Sequence, residues 1–221
     1  MRVSEIFASV EGEGSRQGYL ATFVRLFGCA LRCSWCDSRY ACEGDGYTEM
    51  SPDEILQKVT WLGNRRITLT GGEPLLQKDA SGLVIRLAES GFEVSIETSG
   101  SVDYTALFPD SVRDRLGTNL MITADWKCPG SGMERMMKEK CFMSLRPWDV
   151  LKFVVCSRED LEHAESVIRK YSPPCQIFLS PVFGKVRMSD IVDFMKERDL
   201  QNVRIQAQLH KIIWDPSARG V

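Results

Sequence analysis

The chain reads as an α/β protein whose core is a partial, incomplete TIM-type barrel of about six parallel strands. Three observations carry that reading. Short runs rich in β-branched residues alternate with segments of helical period along the 221 residues, which argues for parallel strands joined by right-handed crossovers. A closed eight-fold barrel takes about 250 residues, more than are present. Two connections, residues 37–50 and 125–149, carry loop-forming residues in place of helical periodicity, so the barrel is expected to stay open.

In chain order the expected strands are Ala21–Phe27, Ile67–Thr70, Glu93–Glu97, Met121–Ala124, Val150–Val155, Gln176–Ser180 and Val203–Gln208. The first helix is announced by Ser51 as N-cap, Pro52 at the first helical position and Glu54 completing a capping box, ahead of Ile55, Leu56, Val59 and Leu62. A second helix, near Asp79 to Ser90, should stop at Gly91, a residue suited to closing a helix. Ser157 precedes Leu161, Ala164, Val167 and Ile168 at helical spacing, and a short helix is expected from about Ser189 to Arg198. No linker, repeat or low-complexity segment interrupts the series, so residues 1–221 are expected to form a single domain.

Composition excludes several classes of function. Lys plus Arg number 28 against 30 Asp plus Glu, a formal charge of −2, so no basic excess points to a nucleic-acid partner. The N-terminal MRVSEIFASVEGEG lacks the apolar run of a signal peptide, and no stretch approaches the roughly 18 apolar residues of a membrane span. A cytoplasmic location is the expectation. There the eight cysteines would be thiols or cluster ligands in preference to disulfides.

Distinctive sequence gathers at the strand ends, which a parallel barrel brings to one face. The densest is GCALRCSWCDS, where Cys29, Cys33 and Cys36 fall at C-x-x-x-C-x-x-C spacing after the first expected strand. A cubane iron–sulfur cluster takes one thiolate per iron, and electron carriers normally supply four. Three leave one iron open to an exchangeable ligand. Zinc would need a fourth ligand, usually from a second Cys or His pair. The only histidines are His163 and His210, and Cys42, Cys128, Cys141, Cys156 and Cys175 are scattered singly. On spacing alone a cluster, a zinc site and ordinary thiols all stay open. In TLTGGEP, adjacent glycines let the backbone approach a ligand closely, and Glu73 offers an acceptor for an ammonium group; alone, the segment would read equally as a glycine turn with a surface glutamate.

Together the cysteine triplet and GGEP resemble the radical S-adenosylmethionine (SAM) superfamily. Within it, EIF, VEGEG, FVR, ETSG, KFVV and QLHKIIWDP are similar to the 7-carboxy-7-deazaguanine synthase family over nearly the whole chain. The resemblance implies a radical SAM core with a 4Fe-4S cluster on Cys29, Cys33 and Cys36, whose fourth iron is chelated by SAM. It implies a Mg2+ ion held by Ser38, with Asp37 beside it, hard oxygen donors that suit this ion. The implied reaction is a ring contraction of 6-carboxy-5,6,7,8-tetrahydropterin to 7-carboxy-7-deazaguanine with release of ammonia, in queuosine or 7-deazapurine biosynthesis.

Substrate contacts carry over to Val10, Glu11, Gly12, Glu13, Arg25, Thr70 and His210, with Glu13 and the Glu11–Gly12 backbone as acceptors and Arg25 as a bidentate partner for the substrate carboxylate. Cofactor contacts carry over to Trp35, Cys36, Asp37, Gly72, Glu73, Thr98, Ser99 and Lys127, and to Ser180, Pro181 and Val182. No catalytic acid–base side chain is expected, because the cofactors carry the bond breaking. A flavodoxin as electron donor and a homodimer are further implications. The chain departs from the family pattern at Glu11, where glutamine is common, at Ser38, where threonine is common, and in continuing past Pro216 as SARGV. Apart from their neighbours, Arg25, His210, Lys127 and Trp35 would read as surface, structural or packing residues. Two other classes compete: a radical SAM activase of a glycyl-radical enzyme, and a non-catalytic iron–sulfur or zinc protein, which would need a fourth protein ligand.

Overall fold

The computed structural model describes residues 1–221. Its strands are β1 (Arg2–Val10), β2 (Leu20–Leu26), β3 (Thr48–Glu49), β4 (Arg66–Gly71), β5 (Glu93–Thr98), β6 (Leu120–Trp126), β7 (Val150–Val155), β8 (Gln176–Pro181) and β9 (Val203–Ile205). They form one sheet in the order β3-β1-β2-β4-β5-β6-β7-β8-β9. From β2 onward every neighbouring pair is parallel, and β1 and β3 are added antiparallel on the β2 side. The sheet does not close, as expected, and its seven parallel strands correspond to the seven read from the sequence.

Strand β1 has no counterpart among the expected elements. Most of its residues are half-buried, so its sequence lacks the clean alternation that marks a strand with one dry face. The last strand stops at Ile205, short of the expected Gln208, because the chain turns to meet the β1–β2 connection. Gln206 there accepts from the Gly14 N–H at 2.9 Å and donates to the Gly14 carbonyl at 3.1 Å.

The helices are α1 (Pro52–Leu62), α2 (Ala80–Glu89), α3 (Asp110–Leu116), α4 (Glu139–Met143), α5 (Arg158–Tyr171), α6 (Met188–Glu197) and α7 (His210–Ile213). The capping box of α1 forms in both directions: Ser51 Oγ accepts from the Glu54 N–H at 3.2 Å, and the Ser51 N–H donates to the Glu54 carboxylate at 2.7 Å. Ser157 caps α5 likewise, accepting from the Asp160 N–H at 3.2 Å. Helices α3 and α4 were not expected. At seven and five residues they are too short to show a hydrophobic period, and α4 lies inside the connection read as loop. No helix is long and apolar enough to cross a membrane.

Alternation along the parallel strands sorts side chains between two faces. Ile67, Leu69, Val94, Ile96, Ile122, Leu151, Phe153, Ile177 and Leu179 belong to the hydrophobic core, together with Ile55, Val59, Leu83, Leu87, Leu161, Ala164, Val167, Ile191 and Phe194 of the helices. The alternate positions, Thr70, Glu97, Thr123, Asp125 and Lys152, line a cavity on the other face.

One buried ion pair fixes the long connections to this frame. Asp149 is wholly buried and Arg113 of α3 is 3% exposed. The Arg113 guanidinium donates to Asp149 at 2.5 Å, and the same carboxylate accepts from the N–H groups of Arg146 at 2.7 Å and Ile122 at 2.9 Å. Removing one partner of such a pair strands the other charge in a dry site. Asp149→Ala should therefore cost about 3–5 kcal/mol in chemical denaturation; a loss under about 1 kcal/mol, the range of an exposed pair, would show that the pair does not support the fold.

Candidate active site

The carboxyl ends of the parallel strands surround a cavity of about 460 Å3. Its cysteine end is built by close approach of two strand ends. The Gly72 N–H donates to the Leu26 carbonyl at 3.2 Å and the Glu73 N–H to the Gly28 carbonyl at 2.8 Å. A Cβ on Gly71 would collide with the Leu26 carbonyl, and one on Gly72 would stand 2.5 Å from the Gly28 oxygen and 2.7 Å from the Cys29 Cβ. The two glycines are therefore needed to seat the GGEP loop against the cysteine loop.

Cys29, Cys33 and Cys36 all face this cavity. Cys42, read from the sequence as isolated, lines it too. Its thiol donates to the Ser38 carbonyl at 3.5 Å, and its closeness to Cys29 and Cys36 is the chief reason their pKa values fall to about 7 and about 6, against the pull of burial. Thiolates are the form that binds metal. No three Cys, His, Asp or Glu groups converge as a single ion would require, whereas the donor set suits a larger cluster held by several thiolates on one loop. The cavity also holds buried polar atoms without a protein partner, Trp35 Nε1, Asp125 Oδ1 and Gln208 Oε1. Such groups call for polar atoms on a ligand.

The Glu73 carboxylate is completely buried. It accepts from Thr98 Oγ1 at 2.9 Å, Ser99 N–H at 2.8 Å, Ser99 Oγ at 2.5 Å and Leu75 N–H at 3.2 Å. Burial pushes its acidity down while these donors favour the charged form, with a net raised pKa. Glu73 thus clamps GGEP to ETSG, and the Thr98 and Ser99 hydroxyls are occupied in that clamp although both residues line the cavity. Ser180 and Pro181 are likewise behind the wall, where only Val182 reaches the cavity. Trp35, Asp37, Ser38, Gly72 and Lys127 do line it. Lys127 sits over the Trp35 ring at 5.2 Å and pairs with Asp125 at 2.7 Å. Desolvation would raise the Asp37 carboxyl, but the Lys211 ammonium 2.8 Å away and the Ser38 hydroxyl bring it down to about 2.

The expected substrate residues Val10, Glu11, Gly12, Glu13, Arg25, Thr70 and His210 all meet in the same cavity. Glu13 Oε1 accepts from Ser180 Oγ at 3.0 Å, and Oε2 pairs with the buried Lys152 ammonium at 3.0 Å. Burial alone would raise the Glu13 pKa, yet Lys152 outweighs it and the net shift is downward. Arg25 is anchored through Nε by Glu5 at 2.7 Å, which also accepts from the Tyr40 hydroxyl at 2.8 Å; this leaves the outer edge of the guanidinium free. Gly12 passes so close to the His210 ring that any Cβ would overlap it. Burial lowers the His210 pKa, partly offset by Glu13, so the ring is neutral near pH 7.

The Glu11 and Gly12 carbonyls already carry protein donors, one on Glu11, which leaves its second lone pair available, and two on Gly12. The Glu11 carbonyl accepts from Gly18 N–H at 2.9 Å, and that of Gly12 from Leu209 N–H at 3.0 Å and Gln17 Nε2 at 2.9 Å. Sequence reasoning missed Glu97, Asp125, Lys152, Tyr40 and the 215–221 segment, all of which line the cavity. Lys152 had a readable signal, being the one charge inside the apolar strand VLKFVV.

Residues 24–121 match the family model of the radical SAM superfamily. The 7-carboxy-7-deazaguanine synthase of Clostridium acetobutylicum is 42% identical across the full length of this chain and 99% of its own. The chain belongs to the 7-carboxy-7-deazaguanine synthase family. Its namesake in Methanospirillum hungatei is 37% identical over 98% of this chain and 86% of its own. Among solved structures, QueE from Escherichia coli superposes with a TM-score of 0.74 at 23% identity over 95% of this chain and 94% of that one. SuiB from Streptococcus suis shares the fold at a TM-score of 0.59 and 12% identity, over 84% of this chain and 46% of its own. Membership of the superfamily implies a 4Fe-4S cluster and SAM.

The contact between the glycine pair and the cysteine loop can be tested without assaying activity. Gly72→Ala should leave far-ultraviolet circular dichroism intact while lowering iron and sulfide per chain after anaerobic reconstitution at least several-fold. Full cluster loading in that variant would show that the approach is not tight enough to matter.

Proposed function

We propose that this chain converts 6-carboxy-5,6,7,8-tetrahydropterin to 7-carboxy-7-deazaguanine with release of ammonia, in queuosine or 7-deazapurine biosynthesis. The observation that carries the reading is one cavity lined at one end by Cys29, Cys33 and Cys36 and elsewhere by Glu13, Arg25 and His210. A protein-activating radical enzyme has no use for that second set, and a simple electron carrier has no use for the cavity.

Cys29, Cys33 and Cys36 would hold the cluster, with Trp35, Gly72, Lys127 and Val182 beside the SAM it binds. When bound, the cluster and SAM supply one-electron cleavage of the sulfonium and removal of a hydrogen atom from substrate. The chain's own residues bind and orient. Glu13, kept ionised by Lys152 and fixed by Ser180, accepts from ring N–H groups of the pterin. Arg25, with its Nε held by Glu5, turns its remaining fork toward the substrate carboxylate, the geometry that suits a planar anion. Neutral His210 donates or accepts from the side of Gly12.

Asp37 and Ser38 would hold a Mg2+ ion, as oxygen ligands of the type this ion prefers, in competition with the Lys211 ammonium 2.8 Å from Asp37. Flavodoxin as electron donor, assembly as a homodimer and a cytoplasmic location belong to the same proposal and rest on family resemblance.

The test is anaerobic turnover of the reconstituted protein with the carboxypterin, SAM and a reductant. Formation of 7-carboxy-7-deazaguanine and ammonia supports the proposal; SAM cleavage without that product rejects it. Arg25→Lys keeps the charge but loses the fork, so kcat/KM should fall roughly 10- to 100-fold, the worth of a charge-assisted hydrogen bond, with cluster content unchanged. An unaltered kcat/KM would remove Arg25 from substrate recognition.

A further inference from the structure

Glu11 and Glu13 stand two residues apart and enter the same cavity, but their surroundings differ. Glu13 has a lysine and a hydroxyl; Glu11 has only a hydroxyl. Its carboxyl is 3% exposed and accepts one short hydrogen bond from Thr68 on the inner side of β4. No cation pairs with it. Arg16, in the β1–β2 connection, donates to the Glu93 carbonyl at 3.0 Å. Arg66 of β4 pairs with the Glu93 carboxylate at 3.2 Å and lies over the Tyr19 ring at 4.0 Å. The remaining charged neighbour is Glu97 of β5, held by the Thr70 hydroxyl at 2.8 Å. A buried carboxyl that faces a second carboxyl and lacks a counter-ion is driven to keep its proton.

We propose that Glu11 meets the pterin as a neutral carboxylic acid, its hydroxyl donating to a carbonyl or ring-nitrogen acceptor of the substrate while Glu13 accepts from ring N–H groups as a carboxylate. The inference rests on the proposed function and deepens it by assigning the two carboxyls opposite hydrogen-bonding duties. The substrate edge is mixed in the same sense, with N–H donors beside an acceptor. Two carboxylates would offer acceptors alone and would repel each other in a dry site.

Burial, then Glu97, raises the Glu11 pKa to about 7, while Thr68, Arg16 and Arg66 oppose the rise. If only the protonated form binds, apparent affinity scales with its population. Affinity is then fully present below about pH 7 and is lost above it, falling about tenfold between pH 6 and pH 8.

The experiment is calorimetric titration of the oxidised holoenzyme, loaded with SAM and given no reductant, with 6-carboxy-5,6,7,8-tetrahydropterin from pH 6 to pH 8. The wild type should show the fall, and Glu11→Gln should bind with a flat profile. Thr68→Val removes a donor that favours the carboxylate, so its fall should move to higher pH, a displacement that a packing role would not produce. A flat wild-type profile, or the same fall in Glu11→Gln, overturns the inference while leaving the functional reading in place. Absence of binding by the wild type at every pH rejects the functional reading itself and the inference with it.

Discussion

The site is organised by one buried carboxylate held by protein donors. Glu73 is wholly buried and takes four protein donors. Its own N–H is bound to the Gly28 carbonyl. Three strand-end loops therefore meet at a single residue: the cysteine loop after β2, GGEP after β4 and ETSG after β5. Desolvating a carboxylate costs several kcal/mol unless hydrogen bonds replace its water, so the arrangement persists only with every donor in place. Such a requirement selects one relative position of the three loops. The glycine pair serves the same end, since only a backbone without Cβ lets β4 finish beneath Cys29.

The same logic extends outward through the inner strand positions. Alternation sends apolar side chains toward the helices and polar ones into the cavity. There Lys152 bridges Glu13 and Asp125, at 3.0 and 3.8 Å, and Asp125 holds Lys127. Buried charges persist in such places when each has a partner. The pairing also fixes the position of each group before any ligand arrives, and such fixed polar groups are what preorganise a binding site.

How much of this was legible in the sequence depended on range. The capping box of α1, the N-cap of α5 and the cysteine spacing are local patterns, and they lay where the sequence placed them. Helices α3 and α4 were too short to impose a period, and half-buried β1 had no dry face to read. The surroundings of Glu73, Ser180 and Cys42 were not legible for a different reason. Their partners lie in other strand-end loops or, for Cys42, across a turn whose fold the spacing does not reveal, so exposure to the cavity could not be inferred from being in a motif. Lys152 was visible as a lone charge in an apolar strand, but its partner Glu13 is 139 residues away.

The segment beyond Pro216 joins the same network. Residues 215–221 line the mouth of the cavity. The Arg219 guanidinium lies 4.0 Å over the Tyr40 ring, Tyr40 donates to Glu5, and Glu5 holds Arg25. A stacked guanidinium stabilises the ring's position at modest cost because both groups are planar and keep their edges free. The added residues are thus linked to the guanidinium assigned to the substrate carboxylate through one aromatic ring and one carboxylate. Glu5 is the decisive member of that chain. By taking Nε it blocks the inner edge of Arg25 and orients the outer one, so the arginine presents a single face to the cavity, and a carboxylate entering there finds its two donors already aligned.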